Sequence, residues 1–140
     1  MFFPKAHSLP GRVIVGAYVL HTGLDKWHGN EQLATAVHGM ASGAYPVFKD
    51  MAPARFLRLL AGSEIAVGGA LLVPFVPNAL AGAGLTGFSG ALLTMYLRTP
   101  SMHKPGSVWP SQTGIAVSKD SWMLAVGLGL LVDAWSARRR

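Results

Sequence analysis

The stretch IAVGGALLVPFVPNALAGAGLTGFSGALLTMYL, residues 65–97, contains no charged side chain. A single helix of this length would measure about 50 Å at 1.5 Å per residue, whereas the hydrocarbon core of a bilayer is about 30 Å thick and needs about 20 helical residues. The chain must therefore reverse within the stretch, and the prolines of PFVPN, residues 74–78, favour a tight turn there. We predict a hairpin of two apolar helices at about 55–76 and 79–97.

The composition of the whole chain indicates a membrane protein. Of its 140 residues, 51% are hydrophobic and only 13% are charged, against about 25% charged in ordinary soluble domains. Mean hydropathy is +0.37, and the 17 glycines suit membrane helices, in which glycine is more frequent than in soluble ones. A soluble helical bundle with a very apolar core is the alternative.

Two further membrane helices are predicted on either side of the hairpin, at about 11–28 and 118–137. Their uncharged cores, 13–24 and 121–132, are short for a full crossing. Each can still cross if the charged side chains at its ends extend to the interface. Tryptophan side chains prefer that interface. The predicted helix ends carry three of them, Trp27, Trp122 and Trp135.

The predicted fold class is all-α: a polytopic membrane protein with a four-transmembrane-helix bundle that forms one domain over residues 1–140. A short amphipathic surface helix is expected between spans 1 and 2, because apolar residues recur at three- and four-residue steps within 30–48. The proline-containing residues 98–120 are expected to form an irregular loop. Four spans place both termini on one side. The distribution of lysines and arginines between termini and loops does not decide the orientation, but the basic end RRR, 138–140, and the uncharged short turn favour termini on the cytoplasmic side of the inner cell membrane.

Glu64 is the charged residue that lies deepest in a predicted span. It follows Arg55 by about nine residues, which is roughly 13 Å along a helix and close to the middle of the bilayer. A carboxylate at that depth must be neutral, paired or exposed to a wet cavity. On the first span, Arg12 and Lys26 share a face with glycines that allow close helix packing. We expect Arg12, Lys26 and Glu64 to form an ion-pair core, which is either a structural bridge or a ligand or proton site.

Three segments resemble the DoxX-like family of membrane proteins. GRVIVGAYVLHTGLDKWHG, residues 11–29, is similar to the family's first helix, with an initial arginine and a G-x-x-K near the end. LLAGSEIAVGGALLV, 59–73, is similar to the second helix, and SKDSWMLAVGLGLL, 118–131, to the fourth. His103 lies where such proteins often have a histidine. The resemblance implies a compact four-helix domain, in a family named for subunits of quinone-linked oxidoreductases that act on sulfur compounds.

From this resemblance we expect an integral membrane subunit or partner of a redox complex, bound to other protein subunits and not catalytic on its own. Quinone is the cofactor that the resemblance suggests. Two other functions stay open. One is a small proton-coupled transporter in which Glu64 takes up and releases a proton. The other is a membrane scaffold whose surface helix docks a soluble enzyme.

A ligand pocket is expected at the outer end of the bundle, where positively charged residues from several helices would meet together with Asp25 and Asp120. Such a group could hold an anionic or carbonyl-bearing ligand, for example a quinone headgroup or a sulfur oxyanion. The same cations could instead anchor the helices to lipid phosphates. The candidate ligand-binding residues are Lys26, Arg55, Arg58, Glu64, Arg98, His103 and Lys119.

The residue types present give little support to metal, thiol or nucleic-acid chemistry. The chain has no cysteine, which excludes disulfides, iron–sulfur clusters and thiol nucleophiles. His21, Asp25 and His28 are spaced to share a helix face and could contact a metal. An interfacial polar face is the simpler interpretation, and no metal site is predicted. The net charge of +6 is spread over helix ends, so the lipid bilayer rather than nucleic acid is the expected partner.

The motif GAGLTG, residues 82–87, matches the dinucleotide-binding pattern G-x-G-x-x-G in its letters alone. It lies inside an apolar span with no preceding strand, whereas a dinucleotide site needs a strand before it and a helix after it. We interpret it as a helix-packing motif. Ala83, Gly87 and Ala91 are spaced four residues apart and are predicted to form the face through which this span packs on a neighbour.

Overall fold

The described part of the chain, residues 4–112 and 114–140 of a computed structural model, is all-helical. The prediction of an all-α fold is confirmed. The helices in chain order are α1 (Leu9–Trp27), α2 (Glu31–Ala44), α3 (Pro53–Leu72), α4 (Asn78–Arg98), the single turn α5 (Ile115–Ser118) and α6 (Asp120–Arg138).

Prolines fix both ends of α3. Pro53 occupies the first turn of the helix, where its missing N–H has no intrahelical partner to lose. The helix ends at Leu72 rather than near residue 76 as predicted. Pro74 disfavours helical backbone at the residue before it, and Val73 is accordingly extended, with φ −75° and ψ 118°. The chain then reverses, so that the start of α3 lies beside the end of α4.

The long helices pack as two close pairs, α1 with α3 and α4 with α6, and the contacts between the pairs are fewer. Glycines make each pair close. A Cβ added at Gly68 of α3 would lie 2.5 Å from the backbone N of Leu20 and 2.9 Å from the carbonyl O of Gly16 on α1. In the other pair, a Cβ at Gly82 would lie 2.9 Å from the Cβ of Leu130. Backbones therefore meet directly within each pair, as small residues allow.

The packing face of α4 differs from the predicted one. Ala83, Gly87 and Ala91 are exposed, and a Cβ at Gly87 would meet nothing within 4 Å in the described structure. The buried face runs instead through Gly82 and Leu85. Because a helix turns by about 100° per residue, this change of phase moves the contact surface to another side of the helix. The spacing of small residues did not determine which side meets α6.

Helix α2 lies against the first part of α3 and the last part of α4. Its buried residues Ala41 and Ala44 pack with Phe56 and Met95 in one hydrophobic cluster. An amphipathic helix predicted within 30–48 is thus present, between the first two predicted spans. It ends at Ala44, because Pro46 disfavours helical backbone at the residue before it.

Within the described residues, two helical segments are long and apolar enough to cross a membrane. They are α4, Asn78–Arg98, and the segment formed by α5 and α6, Ile115–Arg138. Helices α1 and α3 have similar lengths of 19 and 20 residues. They are less apolar because they carry charged residues, among them Arg12, Lys26 and Glu64. The structure therefore contains two candidate membrane spans where the sequence predicts four.

Candidate functional site

Lys26 of α1 and Glu64 of α3 form an ion pair inside the bundle. The Lys26 Nζ donates to Glu64 Oε1 at 3.1 Å and to Oε2 at 3.0 Å. The Glu64 side chain is 6% exposed and that of Lys26 is 23% exposed, so the pair is largely removed from solvent. Charged groups in such surroundings are stable only when they are paired. The contact predicted between these two residues is present.

The packing of α1 on α3 brings this pair together. A Cβ at Gly23, about one turn before Lys26, would lie 2.9 Å from the Cβ of Glu64 and 2.9 Å from the backbone N of Ile65. A glycine at this position lets the two backbones approach so closely. The lysine side chain then reaches the carboxylate from the next turn of α1.

The ion pair lines a cavity of about 200 Å³ between the two helix pairs, which we call the polar cavity. Apolar side chains of α4 form part of its lining, among them Phe88, Leu92 and Met95. Pockets that combine an apolar lining with a few convergent polar groups are typical ligand sites. The lining side chains that carry polar groups are Tyr18, Thr22, Lys26, Glu64, Lys119 and Asp120.

Asp120, at the start of α6, is a buried carboxyl group that was expected at the outer end of the bundle but was not among the predicted ligand residues. It is 3% exposed, and its Oδ1 has no hydrogen-bond partner among the residues that the structure describes. Buried polar atoms nearly always have a partner, so an unpaired carboxyl oxygen beside a cavity is typical of a site that another molecule completes. Its signal in the sequence is an acidic residue in the first turn of an apolar helix.

Lys119, a predicted ligand residue, does line the polar cavity. Its Nζ donates to the carbonyl O of Ala116 at 2.6 Å and lies 5.2 Å from the ring centroid of Tyr18, a cation–π distance. An ammonium group has three donors. Lys119 can therefore keep these contacts and still donate to a ligand.

An apolar cavity of about 220 Å³, which we call the apolar compartment, adjoins the polar cavity between α2, α3 and α4. Phe48 and Phe56 contribute to its lining. Together the two spaces offer a polar end and an apolar end, which is the arrangement that an amphipathic ligand requires. The residues that line both are Val37, Leu60, Phe88, Leu92 and Met95.

The prediction that Arg12 pairs with Glu64 is wrong. Arg12 is 1% exposed and lies about two turns away from Glu64 along α3. Carbonyl groups at a helix C-terminus lack intrahelical donors and carry partial negative charge. The Arg12 guanidinium binds these carbonyl groups at the end of α3 instead of the Glu64 carboxylate. The guanidinium donates, at 2.7–2.9 Å, to the carbonyl oxygens of Ala70, Leu71, Val73 and Val76 and to Oδ1 of Asn78.

A polar network continues from Arg12 across the same end of the bundle. The Asn78 Nδ2 donates to Asp133 Oδ2 at 2.8 Å. The other oxygen of Asp133 lies 3.0 Å from His7 Nε2 and 3.5 Å from Lys5 Nζ. This network joins the start of α1, the turn before α4 and the end of α6. It stabilises the end of the bundle that lies opposite the ion pair.

Neither Arg55 nor Arg58 lines the polar cavity in the described structure, although Arg58 and Lys26 line a separate pocket beside the start of α2. Arg55 is exposed. The Arg58 Cζ lies 5.1 Å from the ring centroid of Trp27, where the guanidinium makes a cation–π contact. Arg58 therefore stabilises the end of α1 from outside the cavity.

Arg98 and His103 are also absent from the polar cavity as described. Arg98 donates to the carbonyl O of Ala44 at 3.0 Å and thereby satisfies the C-terminus of α2. The His103 ring packs on Tyr96 with centroids 5.8 Å apart. Arg98 therefore binds the end of a neighbouring helix, and His103 packs on a nearby aromatic ring. The prediction did not include these alternative contacts.

His21 and Asp25 lie on the surface of α1. The His21 Nε2 is 3.3 Å from Asp25 Oδ2, with side chains 74% and 67% exposed. His28 is exposed after the end of the helix. Across the residues that the structure describes, no group of three or more histidine and acidic side chains is arranged to hold a metal ion.

Comparisons of this chain with protein families, with curated proteins and with solved structures found no match. The polar cavity offers two ammonium groups, two carboxyl groups and the hydroxyls of Tyr18 and Thr22 beside an apolar compartment. Such a set can hydrogen-bond a polar headgroup and can take up or release a proton. Function is inferred from this chemistry and from the segments that resemble the DoxX-like family.

Proposed function

We propose that this protein is a DoxX-like, four-span membrane protein that acts as a membrane subunit or partner of a quinone-linked redox complex, and that its polar cavity receives the quinone headgroup. One observation carries the proposal. The Lys26–Glu64 pair lies beside the unpaired Asp120 carboxyl in a cavity that adjoins an apolar compartment. The chain would position the ligand, and other subunits would carry out the catalysis.

The distribution of exposed apolar side chains supports membrane insertion. The most apolar windows of α4 and of α5–α6 are only 33% and 22% buried, whereas an all-apolar helix in a soluble protein would be buried in the core. Leu80, Trp122 and Val132 are 59–76% exposed. A bilayer would cover these outward faces, which are too extensive for an ordinary soluble surface.

Helices α1 and α3 suit the same bilayer because their buried charges are compensated within the bundle. Lys26 and Glu64 neutralise each other, and Arg12 is bound by carbonyl groups. The outward side of the first half of α1 is apolar, with Val13 51% and Ile14 70% exposed. We propose four spans with both termini in the cytoplasm, following the basic residues 138–140, and α2 at the opposite surface of the inner membrane.

A neutral ligand with a carbonyl or hydroxyl group suits the polar cavity better than a small anion does. Lys26 and Lys119 supply N–H donors, but the carboxyl groups of Glu64 and Asp120 line the same space. Negative charge placed beside an anion is unfavourable. Quinone oxygens accept hydrogen bonds without adding charge, and the apolar compartment can take the hydrophobic part of the molecule. We therefore propose quinone in preference to a sulfur oxyanion.

The two buried carboxyl groups also favour a second candidate, a small proton-coupled transporter. Acidic side chains that face a cavity within membrane helices are typical of proton pathways. The two candidates differ in a direct observable. A transporter moves a solute into proteoliposomes in response to a pH gradient, whereas a quinone-binding subunit retains quinone and moves none.

Quinone that co-purifies with the protein tests the proposal. We expect wild-type protein in mild detergent to retain quinone, measured by solvent extraction and mass spectrometry. Glu64→Gln should lose at least about tenfold of it, because a charge-assisted hydrogen bond of about 1.5–3 kcal/mol that holds Lys26 in place is removed. Asp25→Asn, which changes a carboxylate 67% exposed on α1, should retain quinone as the wild type does.

A double variant separates loss of the site from loss of the fold. Lys26→Met combined with Glu64→Leu removes both charges together, and replacing a buried ion pair by apolar residues is often neutral or stabilising. This variant should therefore melt close to the wild type yet retain no quinone. Wild-type protein that carries no quinone and does not bind added decylubiquinone would contradict the proposal.

A further inference from the structure

Asp120 carries a buried carboxyl oxygen without an intramolecular partner. The residue is 3% exposed and lines the polar cavity, and its Oδ1 finds no donor within the part of the chain that the structure describes. A buried polar group left unpaired lowers the stability of a fold. Asp120 is therefore unfavourable for the stability of the free protein, as groups that serve a binding site often are.

Three polar neighbours of Asp120 in the cavity already have acceptors. Lys26 donates to Glu64, and Lys119 and Thr22 donate to nearby backbone carbonyl oxygens. These contacts hold the three donors in fixed positions around the cavity. The carboxyl of Asp120 differs from them, because its Oδ1 has no hydrogen-bond partner among the described residues although Asp120 lines the cavity.

We infer that Asp120 is the residue that hydrogen-bonds the polar head of the ligand, whereas Lys26 and Glu64 are positioning residues that hold the cavity in shape. This inference rests on the proposed function and adds to it the group that contacts the ligand. A carboxyl group donates when protonated and accepts when ionised, so it can bind a carbonyl or a hydroxyl.

The ligand class follows from the two ends of the site. A carbonyl or hydroxyl at the polar end meets Asp120, and the apolar body extends past Phe88 and Leu92, which line both spaces. Such a molecule is neutral and amphipathic. Its apolar part would bury surface against the aromatic side chains of the apolar compartment, which favours binding.

The test compares Asp120→Leu with Asp133→Leu in nanodiscs, with decylubiquinone as the probe. Both residues lie on α6, but Asp133 is hydrogen-bonded to Asn78 at 2.8 Å and to His7 at 3.0 Å at the opposite end of the bundle. We expect Asp120→Leu to weaken binding of the probe at least about tenfold, through loss of a hydrogen bond to the ligand. Asp133→Leu should leave binding unchanged.

The melting temperature gives an independent readout. Asp120→Leu should raise it by about 2–4 °C, because a buried unpaired group is removed, whereas Asp133→Leu should lower it. A structural role for Asp120 would produce the opposite, a lower melting temperature together with weaker binding, and would overturn the inference. Asp120→Asn, whose amide still hydrogen-bonds, should bind the probe within about threefold of the wild type.

The binding results separate failure of the inference from failure of the proposed function. If the wild type binds the probe and Asp120→Leu binds it equally well, the inference is overturned and the proposed function stands. If the wild type does not bind the probe, the proposed function fails and the inference fails with it.

Discussion

Arg12→Met is expected to lower the free energy of unfolding by about 3–5 kcal/mol, the range for removing one partner of a buried charged network. The side chain is 1% exposed and donates five hydrogen bonds of 2.7–2.9 Å. Methionine fills much of the same volume but donates nothing. The carbonyl oxygens at the end of α3 and in the turn before α4 would then lose their donor. Thermal unfolding in detergent, followed by circular dichroism, measures the effect.

Two further variants make this comparison specific. Arg12→Lys retains the charge but replaces a planar group of five donors by an ammonium with three, so it should be destabilised nearly as much. Arg55→Met removes an exposed arginine and should change the unfolding free energy by less than about 0.5 kcal/mol. If Arg12→Met melted with the wild type, Arg12 would not be the residue that fastens α1 to the end of α3.

Gly68→Ala is expected to lower the unfolding free energy by at least about 2 kcal/mol, because overpacking at this contact forces two backbones apart. The added Cβ would lie 2.5 Å from the backbone N and 2.8 Å from the Cα of Leu20. A backbone cannot move aside as a flexible side chain can. Separation of α1 from α3 would also weaken the contact between Lys26 and Glu64, so retention of quinone should fall together with the melting temperature.

The neighbouring residue Gly69 provides a matched control. Within the described structure, a Cβ at Gly69 would meet nothing within 4 Å, and alanine is the better helix former by up to about 1 kcal/mol. Gly69→Ala should therefore be neutral or stabilising. The two variants make the same chemical change at adjacent positions, and equal melting temperatures would contradict the close packing of α1 on α3 at Gly68.

The positions of the long helices, apart from the end of α3, and the contact between Lys26 and Glu64 could be predicted because both depend on local rules. Prolines set the reversal between α3 and α4, and helical phase together with the glycines of α1 placed Lys26 on the face that meets α3. A deep acidic residue in an apolar helix also requires a partner. Few other basic residues lie at the depth of Glu64, so there were few alternatives to Lys26 as its partner.

The order in which helices pair could not be read from the sequence. Several faces of α4 carry small residues, and Gly87 looked as suitable as Gly82 for close packing. The choice depends on which side chains of α6 fill the remaining space, and that is a property of the assembled bundle. Arg12 was wrongly predicted to pair with Glu64, because the prediction considered only charged side chains as partners. The backbone carbonyl groups that bind Arg12 depend on the fold and cannot be identified from the sequence.

Asp120 was not predicted as a ligand residue because its role depends on burial. In the sequence it is one acidic residue next to Lys119, which looks like an exposed helix start with favourable charge. The structure buries its carboxyl beside the polar cavity. Arg58 and Arg98 were predicted to bind the ligand but lie outside the polar cavity. Arg58 contacts the ring of Trp27, and Arg98 donates to a backbone carbonyl group.

Cysteine labelling at the two ends of α3 tests most directly whether four helices or two cross the membrane. The sequence contains no cysteine, so single substitutions can be labelled without background. Asp50→Cys precedes α3 and Phe75→Cys follows it, and both positions are exposed. Val108→Cys, in the loop after α4, is an exposed reference.

Four spans predict that a membrane-impermeant maleimide labels Asp50→Cys and Val108→Cys from outside intact cells, and labels Phe75→Cys only after the membrane is opened. If α4 and α6 alone crossed the membrane, Asp50→Cys and Phe75→Cys would be labelled from the same side. That result would contradict the four-span bundle, and with it the position of the polar cavity within the bilayer.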